Sequence, residues 1–444
     1  QHRGPDNSTF MNVNDKLIFG FHRLAIVDKS FLGNQPFIEE VTNNSSIYVM
    51  CNGEIYNYKQ LTMEYNLKPK SNSDCEVILQ LYKYFTKDLE VNKNEVIQSK
   101  IQRIVFKIAN LLDGVFAFQI YDERFRILSI GRDPIGVRSL YYGYDNNSIC
   151  FSSEMKAITD LSNHVTFFPP GSVISFNIDD IYPVFKINLV SNVQRFYYYN
   201  YPYKKTSETT DKDYDYYKLK INHLLTKAVD KRIIGDRPIG CLLSGGLDSS
   251  LIAALLAKKM EKEGKKLHTF SIGFENATDL HYAKMVADHI GSIHHEVIVT
   301  EKQMLMKLIE VIYKIESWDT TTVRASTPMV LLCEYIKQNT DITVIYSGEG
   351  SDEESGSYMY FKNAPSEEEF HEETCRLVKD LQYYDVLRSD KSVSSAGLEV
   401  RVPFLDKEFI EFYMSIPPKL KMGNIDVNKK QIEKYLLRDS FDDG

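Results

Sequence analysis

Between residues 238 and 346 short apolar runs alternate with helix-length ones, and this alternation constrains the chain more than any other feature. PIGCLL, HTFSIGF, HHEVIV and ITVIY are rich in β-branched and aromatic residues and too short for helices. SSLIAALLAKKMEK and DLHYAKMVADHI are helical stretches between them; Gly291 stops the second, and Thr300 caps a third. Strands that return in one direction after each helix need a parallel sheet covered on both faces, so this half predicts an α/β domain with a doubly wound parallel sheet. Ligands of such sheets bind beyond the carboxyl ends of the strands. The loop Ser244-Gly245-Gly246-Leu247-Asp248-Ser249-Ser250 stands there, between the first strand and its helix.

The rest of the chain has another texture. From Ile18 to about Gly171, runs such as SIYVMCNGEIYN, GVFAFQIYD and GSVISFN are broken by turn residues, which predicts a strand-rich α+β domain. One helix interrupts it, and Ser73 with Glu76 has capping-box spacing at its start. Residues 191–217 are polar and tyrosine-rich without a sustained apolar period, as suits a linker. A chain of 444 residues exceeds what one core usually supports, so the expected division is 1–175, a linker at 176–217, and 218–444. The Asn- and Lys-rich insertion from Glu90 to Arg103 reads as a surface loop or solvated helix.

Net charge −8 weighs against nucleic acid as a partner, and no apolar run is long enough to cross a bilayer. Six scattered cysteines without a zinc-ligand pattern fit reduced thiols in the cytoplasm.

The Ser244–Ser250 loop suits a phosphate. Gly245 and Gly246 allow close backbone approach, Ser244, Ser249 and Ser250 supply hydroxyls, and the helix offers its positive end. A glycine turn with a serine cap would use some of these residues, but Asp248 beside phosphate calls for a bridging cation, which points to Mg2+. The loop lacks the Gly-Lys-Ser/Thr of a Walker A motif. It resembles the pyrophosphatase-type loop of enzymes that release pyrophosphate and leave AMP on a carboxylate, turning a poor leaving group into a good one.

Three later segments narrow the resemblance: Thr321-Thr322-Val323-Arg324-Ala325-Ser326, Ser347-Gly348-Glu349-Gly350-Ser351-Asp352-Glu353, and Leu398-Glu399-Val400-Arg401-Val402-Pro403-Phe404-Leu405-Asp406. With the loop, they resemble the glutamine-dependent asparagine synthetases. By matching position the resemblance implies that Leu242 and Ile272 contact adenosine, that Ser347 and Gly348 contact the nucleotide, and that Glu349 promotes formation of an aspartyl adenylate. It implies that Lys434 lies near the β- and γ-phosphates, a position that a solvated helix lysine would also fill. Asp352 is a second candidate metal ligand beside Asp248. Arg324 could grip a carboxylate or phosphoryl group bidentately, or form an ordinary surface salt bridge. The family places glycine before the tyrosine of Glu354-Ser355-Gly356-Ser357-Tyr358, where this chain has serine.

The first half resembles the glutaminase domain of the class II amidotransferases, an Ntn-type fold of sandwiched antiparallel sheets with helices. Its motifs are His2-Arg3-Gly4-Pro5-Asp6, Arg23-Leu24-Ala25-Ile26-Val27-Asp28, Asn52-Gly53-Glu54-Ile55-Tyr56-Asn57 and Gly131-Arg132-Asp133. The likeness implies an oxyanion hole from the Asn52 amide and the Gly53 backbone. It implies that Arg23 to Val27 line the glutamine site, with Arg23 on the α-carboxylate and Glu54 and Asp74 on the ammonium group. Asp74 in a first helical turn would also complement the helix dipole. The family's nucleophile is an N-terminal cysteine upstream of the stretch matching His2-Arg3-Gly4; residues 1–444 do not include it, and they stop short of the family's C-terminal end. Cys51 reads as a packed thiol and no substitute, so the chain as it stands is expected to lack glutaminase activity.

The resulting expectation is a cytoplasmic carbon-nitrogen ligase. It amidates L-aspartate with Mg-ATP through a β-aspartyl-AMP intermediate, with ammonia from L-glutamine, and a homodimer is one arrangement the resemblance allows. The rival readings are a related synthetase that adenylates another carboxylate, and a catalytically impaired glutamine or nucleotide sensor.

Overall fold

In the first half Asn7–Asn12 and Phe37–Thr42 alternate between more and less covered residues, while Gly114–Asp122, Ile127–Arg132 and Ser172–Asn177 are covered on both faces, as strands inside packed antiparallel sheets are. The computed structural model describes residues 1–42, 45–89, 96–145, 148–162, 164–179, 193–204, 210–422, 424–425 and 431–442. It divides into two compact units, 1–198 with 234–237, and 199–233 with 238–444.

In the first unit β1 (Asn7–Asn12) pairs antiparallel with β2 (Ile18–Arg23). β3 (Phe37–Thr42), β4 (Ser45–Ile55), β5 (Gly114–Asp122) and β6 (Ile127–Arg132) are successive antiparallel neighbours in a larger sheet. β7 (Tyr141–Tyr144), β8 (Ile149–Ser152) and β9 (His164–Phe167) form a small sheet of their own. β10 (Ser172–Asn177) and β11 (Gln194–Arg195) extend the larger sheet, giving the order β11-β10-β6-β5-β4-β3. Met50, Tyr121, Ile130 and Ile174 of the large sheet share one core with Phe19, Leu140 and Tyr142 of the smaller ones. The helices Glu76–Thr86 and Ile97–Leu111 pack on β4 and on β6 and β10. The α+β class expected for this half is what the structure has.

Two local expectations need correction or completion. Ser73 and Glu76 form no capping box: Cys75 occupies the cap position without a side-chain cap bond. The Glu76 carboxylate instead accepts from the backbone N–H groups of Lys70 and Ser71, both at 2.7 Å, because a tight turn with unpaired donors competes for it. Of the Glu90–Arg103 insertion, residues 90–95 lie outside the described residues, and the remainder enters the Ile97–Leu111 helix.

In the second unit the helix Asp211–Lys231 starts inside the segment read as linker, on a capping box between Thr210 and Asp213, and buries Tyr217. Residues 180–192 and 205–209 of that segment lie outside the described residues. Then come β12 (Ile239–Leu242), the helix Leu247–Glu261, β13 (His268–Gly273), the helix Thr278–His289 and β14 (Ile293–Ile298). The helices Glu301–Ile315 and Thr320–Asn339 lead to β15 (Val344–Tyr346), and β16 (Glu399–Arg401) completes the sheet. All its pairs are parallel, in the order β14-β13-β12-β15-β16. That order is the doubly wound one, and its direction of progression reverses between β12 and β15.

The Leu398–Asp406 motif turns out to be framework. It supplies β16 and a buried ion cluster: Asp406, 2 % exposed, accepts from Arg232 at 2.7 Å and from Lys231, and caps the helix Lys407–Met414 through Glu408 N at 3.1 Å. Burial pushes the Asp406 carboxyl up, but the two cations outweigh it and hold it below its usual range. Asp406→Ala leaves a guanidinium and an ammonium without their shared anion, so it should lower the unfolding free energy by about 3–5 kcal/mol in urea titration.

Candidate active site

Because β12 and β15 pair in register, with Cys241 beside Tyr346, the segments that follow them leave the sheet side by side at the switch point. The first is the Ser244–Ser250 loop. Gly245 has φ +81°, and a β-carbon there would come within 2.5 Å of the Ala283 nitrogen, so only glycine fits the turn. Gly246 caps the helix Leu247–Glu261. The loop is braced internally: the Ser250 hydroxyl donates to the Gly246 carbonyl at 2.7 Å, the Ser249 hydroxyl to the same carbonyl at 3.2 Å, and the Gly246 N–H to Ser244 Oγ at 3.3 Å. Leu247 opens the helix whose positive end faces the loop.

The second segment, Ser347-Gly348-Glu349, lies directly against the first. A β-carbon on Gly348 would stand 2.8 Å from the Ser249 nitrogen and 2.9 Å from the Asp248 carbonyl carbon. Ser347 is buried, with its N–H on the Arg401 carbonyl at 2.9 Å. The two motifs that the sequence keeps a hundred residues apart are therefore one surface.

Asp248 and Asp352 also come together, and Lys434 joins them. The Lys434 ammonium lies 2.6 Å from Asp248 Oδ2 and 2.8 Å from Asp352 Oδ1; Ser351 donates to Asp248 Oδ1 at 2.7 Å, and Ser357 to Asp352. Ser357 is the residue that departs from the family's glycine, and its hydroxyl thus orients a candidate metal ligand. Among the described residues no group of three or more histidine, cysteine or acidic side chains is arranged for a metal. A magnesium ion that arrives on a polyphosphate needs only one or two carboxylates, and Asp248 with Asp352 fit that donor set.

Leu242 ends β12 beside Phe270 of β13, and Ile272 stands two residues further along β13, so the parallel register puts all three on one face at the carboxyl edge. Both Leu242 and Ile272 are half-buried. Arg324 is exposed in the first turns of Thr320–Asn339, a helix capped by Asp319. Among the described residues no ion pair holds its guanidinium, and no contact joins it to the loop.

Glu349 is half-buried and ion-paired. Its Oε2 meets Arg388 Nη2, which also reaches Asp385 Oδ1 at 2.7 Å. Burial raises the Glu349 carboxyl, Asp385 and Asp352 push the same way, and Arg388 opposes them. Burial beside Asp385 pushes Glu353 up to about 8, and the Tyr358 hydroxyl donates to it. Arg388, Asp385 and Tyr358 escape sequence reasoning, because Asp385 and Arg388 have the spacing of an ordinary i,i+3 surface pair.

In the first unit Gly53 sits where a β-carbon would meet the Val115 carbonyl at 2.0 Å. The Asn52 amide donates to Ser153 Oγ at 3.1 Å. Asp74 accepts from the Ile55 N–H at 2.6 Å, and the Cys75 thiol donates to the Gly53 carbonyl at 3.3 Å, so the Asp74 segment is fastened to the Asn52–Glu54 strand. The Asp74 carboxylate serves that strand and caps no helix. Glu54 is buried on the same strand. Arg23 is buried and organises the loop after β2: it donates to Ser30 O at 2.8 Å, Asn34 Oδ1 at 2.9 Å and Asp28 O. Leu24 and Val27 are half-buried, and Ala25 and Ile26 are buried with their backbones pinned, Ala25 N to Asp6 and Ile26 O to Asp236 N, both at 2.8 Å. Cys51 is a packed thiol, 2 % exposed.

Comparison with known proteins decides the affiliation. A family model described as asparagine synthase matches residues 220–370 and 362–443, and one described as a glutamine amidotransferase domain matches 21–160. Asparagine synthetase [glutamine-hydrolyzing] of Gallus gallus is 42% identical over 459 residues, covering 100% of this chain and 77% of the relative. The chain belongs to the glutamine-hydrolysing asparagine synthetase family. The Lotus japonicus relative named asparagine synthetase [glutamine-hydrolyzing] 1 is 42% identical over 451 residues, with 100% and 70% covered; the Homo sapiens relative is 39% identical over 456 residues, with 100% and 77% covered. In this member of the family, the contact between Gly348 and the loop makes a direct test of the switch-point crevice. Gly348→Ala should raise the Kd for ATP by about tenfold or more and also lower the melting temperature, since overpacking costs about 1–3 kcal/mol of stability, as titration calorimetry and thermal scans would register.

Proposed function

We propose that this chain uses Mg-ATP to adenylate the β-carboxylate of L-aspartate, and that ammonia then displaces AMP to give L-asparagine. The observation that carries the reading is the packing of Gly348 against Asp248 and Ser249, which sets Glu349 beside a phosphate-binding loop.

The Ser244–Ser250 backbone and hydroxyls cradle the phosphates, Lys434 turns to their β and γ groups, and Leu242 and Ile272 flank the adenosine. Asp248 and Asp352 would hold the magnesium ion, which supplies charge neutralisation for the leaving pyrophosphate. A β-carboxylate oxygen attacks the α-phosphorus, and the bond to pyrophosphate breaks. Ammonia's lone pair then attacks the acyl carbon, AMP leaves with the bonding electrons, and Glu349 takes the proton that nitrogen sheds. Arg324, with no ion pair among the described residues, is the cation offered to a carboxylate of the substrate.

For the ammonia supply, Asn52 and Gly53 provide the oxyanion donors for glutamine's side-chain amide, Glu54 and Asp74 hold its ammonium group, and the Arg23–Val27 segment lines its α-carboxylate side. Glutamate is the co-product of that hydrolysis, whose nucleophile in the family, an N-terminal cysteine, is not among residues 1–444. The reading favours the cytoplasm, since all six cysteines are unbridged. No helix among the described residues is long and apolar enough to cross a membrane.

Free ammonia isolates the synthetase chemistry. The full chain, given L-aspartate, Mg-ATP and ammonium chloride, should form asparagine and pyrophosphate in equal amounts, while other amino-dicarboxylates release none. Glu349→Gln and Arg324→Met should each lower kcat by about a hundredfold or more. ATP binding without any asparagine formed would sink the reading.

A further inference from the structure

Glu349 depends on a single anchor. Among the described residues its carboxylate has one hydrogen-bond partner, Arg388, and it projects from a turn whose next residue, Gly350, has φ +99°. Arg388 by contrast is held at its backbone and at Nη2, while its buried Nε has no hydrogen-bond partner among the described residues. It lies in the first turn of the helix Asp385–Ser394, with its backbone N–H on Tyr384 O at 2.8 Å and its guanidinium shared with Asp385 one turn earlier. Further along that helix, Lys391 makes a 2.6 Å ion pair with Glu316, both side chains almost wholly buried. The guanidinium is thus presented from a pinned helix, as an orienting group must be.

We propose that Arg388 is the positioning residue for the Glu349 carboxylate, bridging it to Asp385 so that it stays fixed in the site. The proposal rests on the reading of Glu349 as the reacting carboxylate. The charge balance agrees: burial disfavours a carboxylate at 349, Asp385 and Asp352 add negative charge, and Arg388 is the cation that opposes both. Arg388 Nη2 is already shared by two carboxylates, whereas Arg324 has no ion pair among the described residues.

The test uses the full chain with free ammonia. Arg388→Ala should lower kcat for asparagine formation by about a hundredfold, with the KM for ATP unchanged, since a displaced reacting group costs rate and not nucleotide affinity. Added guanidinium ion should restore about tenfold or more of the lost rate by refilling the site between Glu349 and Asp385, and should do nothing for Glu349→Gln. Arg388→Lys, which keeps the charge on a shorter, point-like head group, should fall between wild type and alanine. A wild-type kcat in Arg388→Ala overturns the proposal, as does a loss of ATP binding and rate together that guanidinium leaves untouched. If the alanine variant does not fold, Arg388→Lys decides: reduced kcat at unchanged KM for ATP supports the role, and unchanged kcat overturns it. Full activity in Glu349→Gln would instead overturn the reading of Glu349, a result separable from any obtained at Arg388.

Discussion

The parallel pairing of β12 with β15 is the interaction on which the site rests. Three residues of each strand lie in register, and the helices that follow the two strands lead away in opposite directions along the sheet. The crevice between them is a consequence of strand order alone; it needs no special residues to open it. What it does need is permission for two backbones to approach, and glycine at 245 and 348 provides that. Polar groups arriving from distant segments then converge on a site that the sheet has already shaped.

The parts legible in the sequence are those with short-range causes. Alternating strand and helix runs announce a parallel sheet; Gly245 and Gly246 announce a tight turn between strand and helix; Thr300 and Gly291 mark helix ends where the structure has them. Failures come where a side chain has a better offer from elsewhere. Glu76 has the spacing to cap its own helix, yet the turn at Lys70 and Ser71 takes its carboxylate. Asp248 read alone asks for a cation, and the cation that meets it is Lys434, 186 positions away. Nothing local could pair Glu349 with Arg388, or show that Arg401 and Asp406 of a conspicuous motif are buried framework.

Charge in the second unit is kept in closed sets. Asp406 is enclosed with Arg232 and Lys231, Glu316 with Lys391, and Glu349 with Arg388 and Asp385. Glu354, buried next to the acidic Glu353, is raised well above the carboxylate range by burial first and by Glu353 second. An acid-rich neighbourhood can stay folded on these terms because some members are matched and others shed their charge. It also keeps the region from presenting one uniform negative field to an incoming nucleotide.

Lys434 gives that arrangement a consequence for binding. With its ammonium shared by Asp248 and Asp352, the crevice is already salted, as a resin is by its counterion. On the proposed reading, a polyphosphate that entered with its own cation would perform an exchange: lysine would pass from carboxylate to phosphate, and the carboxylates would hold the metal. Every charge keeps a neighbour of opposite sign throughout, so the crevice never has to hold a bare anion against its own acids. Lys434 caps the helix Tyr435–Asp439, so the swap would be made from the end of a helix.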